Sequence, residues 1–325
     1  MLAALPRTSL GFFPTPLHPL PNLSARLGGP ALWIKRDDQT GLATGGNKTR
    51  KLEFLVADAL QQRANTLITV GAPQSNHARQ TAAAAARAGL NSVLVLRGAA
   101  PPVRTGNILL DDLVGAEILW AGTRPLDEVA AEAAEELSAR GQRPYVIPLG
   151  GSNPIGAAGY VAAMLEFVEQ ARASGLRFDA IVFATSSGGT QSGLVLGAKL
   201  SGYTDRVLGI SVDQRADQLV PLLVDLANAT AQHIRAAITF SARDFEVNDH
   251  YLGGGYAVLG EPEREAIRLC ARTEGVLVDP VYTGRALAGL IDLIRAGEFK
   301  PGQNVLFWHT GGTPALFAYA EQLTA

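Results

Sequence analysis

Thr66-Leu67-Ile68-Thr69-Val70-Gly71-Ala72-Pro73-Gln74-Ser75-Asn76-His77 decides the fold. A run of apolar and β-branched residues of strand length stops at a glycine, and turn and capping residues follow directly. An alanine-rich helical pattern then covers 81–88. Strand, polar loop and helix in that order make the unit of a parallel sheet, because parallel strands need a long crossover between them. The unit repeats outward from this stretch. Ser92-Val93-Leu94-Val95-Leu96, Glu117-Ile118-Leu119-Trp120 and Tyr145-Val146-Ile147-Pro148 follow, with a helical pattern over 126–139. Ala180-Ile181-Val182-Phe183-Ala184, Leu208-Gly209-Ile210-Ser211-Val212 and Asn304-Val305-Leu306-Phe307-Trp308 come later. This rhythm predicts an α/β protein of two doubly wound domains, with mostly parallel sheets covered by helices on both faces. Segment 148–159, rich in Gly, Pro and Asn, reads as a crossing between them. The expected division is a larger domain of residues 1–50 plus 157–325 and a smaller one of 51–156.

Composition narrows the classes of function. The chain has 325 residues, 47% hydrophobic and 18% charged, with a formal net charge of −2. That size gives room for substantial cores. The near-neutral balance offers no electrostatic footprint for nucleic acid or a membrane surface. No apolar run approaches the ~20 residues of a membrane span. The first residues lack a basic segment followed by an apolar one, so no signal peptide is expected. One cysteine, Cys270, excludes an internal disulfide and fits the reducing cytoplasm. It falls in a helical pattern and reads as a core residue. The five histidines show no metal-ligand spacing, so no metal is expected.

In parallel α/β sheets, ligands bind at the carboxyl ends of strands. Three polar clusters sit there: Gly71 to His77, Thr185-Ser186-Ser187-Gly188-Gly189-Thr190, and His309-Thr310-Gly311-Gly312-Thr313-Pro314. The second opens a helix over 191–200. Its glycines let backbone N–H groups converge, and a helix start favours an anion, so it has the makings of a phosphate cup. It does not fit G-x-G-x-x-G, which disfavours a dinucleotide. Gln74-Ser75-Asn76-His77 also opens a helix and suits a carboxylate, with N-capping by Ser75 or Asn76 as the plain alternative.

A fourth element is Gly45-Gly46-Asn47-Lys48-Thr49-Arg50-Lys51-Leu52-Glu53. Leu52, Leu55, Val56, Ala59 and Leu60 recur with helical spacing, which puts Lys48 at a helix start. The helix dipole there, and Lys51 one turn on, should both push Lys48 toward its neutral, nucleophilic form. A neutral lysine at a loop's end is what holding an aldehyde requires. Gly41 to Thr49 is one insertion away from a nucleotide P-loop, which misplaces the lysine for phosphate.

Together these residues resemble the fold-type II pyridoxal phosphate enzymes, built like the tryptophan synthase β-subunit. They are most similar to the branch of D-cysteine desulfhydrase, L-cysteate sulfo-lyase and 1-aminocyclopropane-1-carboxylate (ACC) deaminase. The resemblance runs from Gly11-Phe12-Phe13-Pro14-Thr15-Pro16-Leu17 to the end of the chain. It includes Ile34-Lys35-Arg36-Asp37-Asp38, Ser187-Gly188-Gly189-Thr190-Gln191, Asp279-Pro280-Val281-Tyr282 and His309-Thr310-Gly311-Gly312. It implies pyridoxal 5′-phosphate as cofactor, held by the larger domain, with Lys48 as the Schiff-base lysine. It implies that Ser187, Gly188, Gly189 and Thr190 hold the phosphate with Lys51 nearby, and that Asn76 reaches the cofactor O3′. Ser75, Asn76 and His77 would receive the substrate carboxylate. Tyr282 and Tyr256 would line the reacting face, with Thr283 and Thr310 near the pyridine nitrogen. Lys48 is the natural base for the Cα proton, with Ser75 or Tyr282 as alternatives or partners. A homodimer acting on a small amino acid is implied as well.

Substrate choice turns on one departure. ACC deaminases carry glutamate after the tyrosine of D-P-V-Y, and this chain has Thr283. Neutral Thr283 and Thr310 should leave a weaker electron sink, suited to β-elimination of sulfur rather than to opening a cyclopropane. D-cysteine is the first expectation and L-cysteate the close second, since a sulfonate asks for an extra cationic pocket. The alternative from another class is a two-lobed, non-catalytic binding protein.

Overall fold

Each of the seven apolar runs forms a strand in the computed structural model, which describes residues 2–324. In chain order the elements are β1 (Leu17–Pro19), α1 (Pro21–Leu27), β2 (Ala31–Arg36), α2 (Lys48–Gln61), β3 (Thr66–Gly71), α3 (Asn76–Ala88) and β4 (Asn91–Leu96). Next come α4 (Asn107–Leu113), β5 (Glu117–Trp120), α5 (Leu126–Ala139), β6 (Pro144–Ile147), α6 (Pro154–Ala173), β7 (Ala180–Thr185), α7 (Gly189–Ser201) and β8 (Arg206–Ser211). The chain ends with α8 (Ala216–His233), β9 (Glu246–Asn248), α9 (Glu261–Glu274), α10 (Thr283–Arg295), β10 (Asn304–His309), α11 (Ala315–Ala318) and α12 (Ala320–Thr324).

The strands form two sheets. One has the order β1-β2-β10-β7-β8-β9, and the other β5-β4-β3-β6. Every pairing is parallel except β1 with β2. Successive side chains of a strand point to opposite faces, and here both faces are apolar. In the larger sheet Val182, Ile210 and Phe307 join the core beneath α9 and α10, while Ile181, Phe183 and Trp308 join the one beneath α6. In the smaller sheet Ile68 and Val93 pack with Val129 and Ala133 of α5. Leu67 packs with Leu52 and Leu55 of α2. Cys270 is buried in the core of the larger sheet. The smaller sheet uses only residues 66–147, and the larger draws on both flanks of that segment. Breaks drawn at 50/51 and 156/157 fall inside α2 and α6. Segment 148–159 is a short turn followed by the start of α6, a helix that packs on both α2 and α7.

Three strands carried no apolar run. β1 and β9 are three-residue edge strands. β2 holds Lys35 and Arg36, yet Lys35 is completely buried. It is buried because it is paired: its ammonium reaches Glu166 at 2.6 Å and the Thr15 carbonyl at 2.8 Å. Arg50 extends the same cluster with bonds to both Asp37 oxygens, at 2.9 and 2.8 Å, and to both Glu166 oxygens, each at 2.9 Å. Asp37 also accepts from Thr15, Tyr160 and Trp308. This knot clamps the start of α2 between the larger sheet and α6. Among the described residues no helix is long and apolar enough to cross a membrane, and no cluster of metal-binding side chains exists.

Candidate active site

The carboxyl ends of β3, β7, β8 and β10 open onto one cavity of about 280 Å³. Lys48, the first residue of α2, lies on its wall. The loop before it is fixed at several points. Asn47 donates its N–H to the Thr310 carbonyl at 2.9 Å, and Gly46 to the Asp37 carbonyl at 3.0 Å. Gly311 has φ +97°, and a Cβ there would come within 2.7 Å of the Gly46 Cα, so the two loops meet backbone to backbone. Ala43 and Thr44 both adopt left-handed φ, a conformation side chains resist. Arg79 holds them there with bonds to the Ala43 carbonyl at 2.5 Å, the Gly45 carbonyl at 3.1 Å and the Thr44 hydroxyl. Arg79 therefore faces this loop and is no part of the cavity wall.

Lys48 is pulled down to about 8, as expected in direction, but the cause differs from the sequence argument. Burial is what lowers it, because no carboxylate compensates for lost water. The hydrogen bond with Lys51 acts the other way and favours the charged form of Lys48. Lys51 lies beneath the cavity and is itself driven well below its ordinary value by burial and by Lys48. Its ammonium touches the Gly150 carbonyl at 3.0 Å and the Ser152 hydroxyl at 3.3 Å.

Two helix starts face the cavity. At α7, Ser187, Gly188 and Thr190 line the wall, while Gly189 sits behind them and donates to Ser152 at 3.2 Å. A Cβ on Gly189 would come within 2.7 Å of the Lys51 ammonium and 2.8 Å of the Ser152 hydroxyl. Only a bare backbone keeps that cradle open. At α3, Ser75 caps the helix by accepting from the Ala78 N–H at 3.1 Å, so its capping and its place on the wall coexist. The N–H groups of Asn76 and His77 have no acceptor within the helix. Asn107 of α4 fixes the Asn76 amide: its Nδ2 donates to Asn76 Oδ1 at 2.9 Å and to the Gln74 carbonyl at 2.9 Å. The Asn76 amide nitrogen is thereby left to donate. His77 shares a 2.8 Å bond with Thr69, and burial together with Lys48 and Lys51 keeps its imidazole neutral.

Tyr256 and Tyr282 meet hydroxyl to hydroxyl at 2.5 Å on the far wall. Burial pushes Tyr256 up to about 12 and Tyr282 well above its ordinary value. Both stay protonated at neutral pH, so they can give a proton but cannot serve as bases.

Of the residues singled out in the sequence, Lys48, Ser75, Asn76, His77, Ser187, Gly188, Thr190, Tyr256, Tyr282 and Thr310 share this cavity. Lys51 and Gly189 lie directly behind its floor. Thr283 does not reach the wall, because its hydroxyl donates to Asp279 at 2.7 Å in a fully buried turn. Sequence reading missed Asp213, Arg97, Ser152 and Asn107. Arg97 directly follows β4 and Asp213 stands two residues past β8, so the strand-end rule could have found them. Ser152 and Asn107 act on other site residues from outside any motif.

Comparison with known proteins agrees with this geometry. The family described as pyridoxal-phosphate dependent enzyme matches residues 8–311. A D-cysteine desulfhydrase of Klebsiella pneumoniae is 44% identical, over 99% of this chain and 98% of its own length. A 1-aminocyclopropane-1-carboxylate deaminase of Burkholderia vietnamiensis is 43% identical, over 98% of both chains. The crystal structure of an ACC deaminase homologue superposes with a TM-score of 0.92 at 42% identity, covering 99% of this chain and 97% of that one. The chain belongs to the pyridoxal-phosphate dependent enzymes, and its fold is that of fold type II. The residues present fit the cofactor. An amine free of carboxylate partners awaits an aldehyde, and the Gly189 cradle with its helix start and hydroxyls suits a phosphate.

Proposed function

We propose that this pyridoxal-phosphate dependent enzyme is a carbon–sulfur lyase that converts D-cysteine and one water to pyruvate, sulfide and ammonia. The observation that carries the choice of substrate is the Thr310 end of the cavity. Thr310 offers a neutral hydroxyl on the wall, the Thr283 hydroxyl is taken by Asp279, and neither position supplies a carboxylate. A cofactor bound there lacks the anionic partner that a strong electron sink uses, which suits loss of a good leaving group such as a thiolate. The cofactor supplies the electron sink for loss of the Cα proton, and this chain supplies positioning and proton transfer.

The substrate carboxylate is assigned to the open N–H groups at the start of α3, beside Ser75. The Asn76 nitrogen, oriented by Asn107, is assigned to the cofactor oxygen, and Ser187 to Thr190 with Lys51 to its phosphate. Lys48 is assigned to the aldehyde and, once displaced by substrate, to the Cα proton. An amine brought to about 8 by burial is nearly balanced for that task at neutral pH. Tyr282 and Tyr256, held protonated, are assigned to the departing sulfur as donors. The same reading takes the protein as a cytoplasmic homodimer, with residues 1–50 and 157–325 as the cofactor-binding domain.

One observation favours L-cysteate as the second reading: Arg97 lines the cavity and is exposed at its rim, where it could meet a sulfonate. The test is release of pyruvate by the cofactor-loaded protein on D-cysteine, L-cysteine, L-cysteate and ACC in parallel. Preference for D-cysteine, with equal sulfide and at least a thousandfold loss in Lys48→Ala, is the expected result. Preference for L-cysteate would move the assignment to a sulfo-lyase, and activity on ACC alone would overturn the argument from Thr310.

A further inference from the structure

Asp213 carries the only carboxyl on the cavity wall among the described residues, and no ion pair binds it. It stands two residues past the end of β8. Its Oδ2 accepts from the Ser186 hydroxyl at 2.8 Å. Its Oδ1 is shut off from solvent, and Gln214 supports the carboxyl with hydrogen bonds from its side chain and backbone N–H. The carboxyl acts on both Tyr256 and Tyr282, helping to hold their protons, so it belongs to the tyrosine end of the cavity.

The cations around it are committed elsewhere. Arg285 binds Glu263 at 2.7 Å and gives three further N–H groups to the carbonyls of Val212, Gly255 and Val258. Lys48 and Lys51 engage each other. Arg97 is exposed at the rim, where solvent screens it. Burial raises the Asp213 carboxyl, with Ser186, Gln214 and Arg285 opposing. A second anion entering the cavity would meet this carboxyl with no ion pair to offset it.

We propose that Asp213 is a specificity-determining residue: its carboxyl, the only one on the cavity wall among the described residues, turns away substrate side chains that carry a second anionic group and leaves the site to neutral ones such as a thiol or hydroxyl. The proposal rests on the reading of this cavity as an amino-acid site and adds the chemical class of side chain that it takes.

The experiment is equilibrium binding of both enantiomers of alanine and aspartate to the holoenzyme, followed by the change in cofactor absorbance. Neither amino acid carries a sulfur leaving group, and aspartate places a carboxylate where cysteate places its sulfonate. The wild type should bind alanine at least about tenfold more tightly than aspartate, as a like charge in a screened cleft requires. Asp213→Asn, which keeps the shape and removes the charge, should cut that ratio about tenfold, and Asp213→Ser should do the same should the amide disturb folding. Arg97→Gln should leave the ratio unchanged or widen it. A ratio within twofold of wild type in both Asp213 variants would overturn the proposal, and so would a collapse seen only in Arg97→Gln. Absence of sulfide from D-cysteine, with the alanine-to-aspartate ratio still governed by Asp213, would sink the desulfhydrase reading alone. No binding of any of the four would overturn both.

Discussion

Arg50 and Lys51 are neighbours in α2, both completely buried, and their surroundings treat them oppositely. Arg50 turns to the knot with Asp37 and Glu166. Burial opposes its charge, but the two carboxylates outweigh it and hold the guanidinium protonated. Asp37, also fully buried, drops to about 2 although burial alone would raise it, because Arg50 dominates. Lys51 turns the other way, with Lys48 one helical turn before it, toward the cavity, where no carboxylate acts on either amine. Burial drives both amines down. A single helix thus has one face where charge is kept by pairing and another where it is given up. The paired face holds the frame, and the unpaired face holds the reactive amine.

The largest effect should come from breaking the paired face. Arg50→Met keeps length and apolar bulk but leaves Asp37 and one side of Glu166 without their cation. Removing one partner of a buried pair costs about 3–5 kcal/mol. Denaturant unfolding should show that loss, and a deficit under about 1 kcal/mol would mean that the other donors to Asp37 suffice. The double variant Arg50→Met with Asp37→Asn should recover part of it.

The unpaired face makes a kinetic prediction of slightly smaller size. Only the neutral amine attacks an aldehyde, and Lys48 sits at about 8 rather than at its ordinary 10.5. Capture of pyridoxal, which lacks the phosphate, by the cofactor-free protein should therefore speed up about tenfold per pH unit below 8 and level off above it. Stopped-flow rates from pH 6 to 10 would check this. A rate still climbing at pH 10 would show that burial has not lowered Lys48.

Much of this was legible in the sequence where the signal was periodic or local. The seven long strands announced themselves by β-branched runs, and the site clusters by following those runs. What escaped was set by partners distant in sequence. β2 was hidden because Lys35 looks like a surface charge until Glu166, 131 residues on, is brought beside it in space. Thr283 was read as facing the cofactor because it stands where the ACC deaminases carry their glutamate, but at this helix start its hydroxyl turns to Asp279 instead. The neutral lysine was foreseen partly from Lys51, which in fact favours the charged form of Lys48; burial lowers it instead, and burial cannot be read from a residue's own neighbours in the chain.

A third buried site separates the two ingredients that the knot combines, nearby opposite charge and hydrogen bonds. Asp111 of α4 is as buried as Asp37 and has Arg79 close enough to favour its charged form. Yet neither of its oxygens has a hydrogen-bond partner, because Arg79 turns its two terminal nitrogens to the loop at Ala43, Thr44 and Gly45 and its Nε bonds nothing. Burial wins, and the carboxyl rises to about 7 from 3.8. An acid whose pKa is raised by folding binds more protons folded than unfolded between those two values. Its contribution is therefore intact below about pH 4 and is lost as pH climbs toward 7. Asp111→Asn, which imitates the protonated acid, should exceed wild type by about 1–2 kcal/mol at pH 5 and by about 4 kcal/mol at pH 8, from 1.36 kcal/mol per pH unit between 3.8 and about 7. Denaturation curves of both proteins at the two pH values measure this directly. A constant difference across that range would mean that Arg79 alone keeps Asp111 ionised, and that proximity without a hydrogen bond is enough to hold a buried charge in this fold.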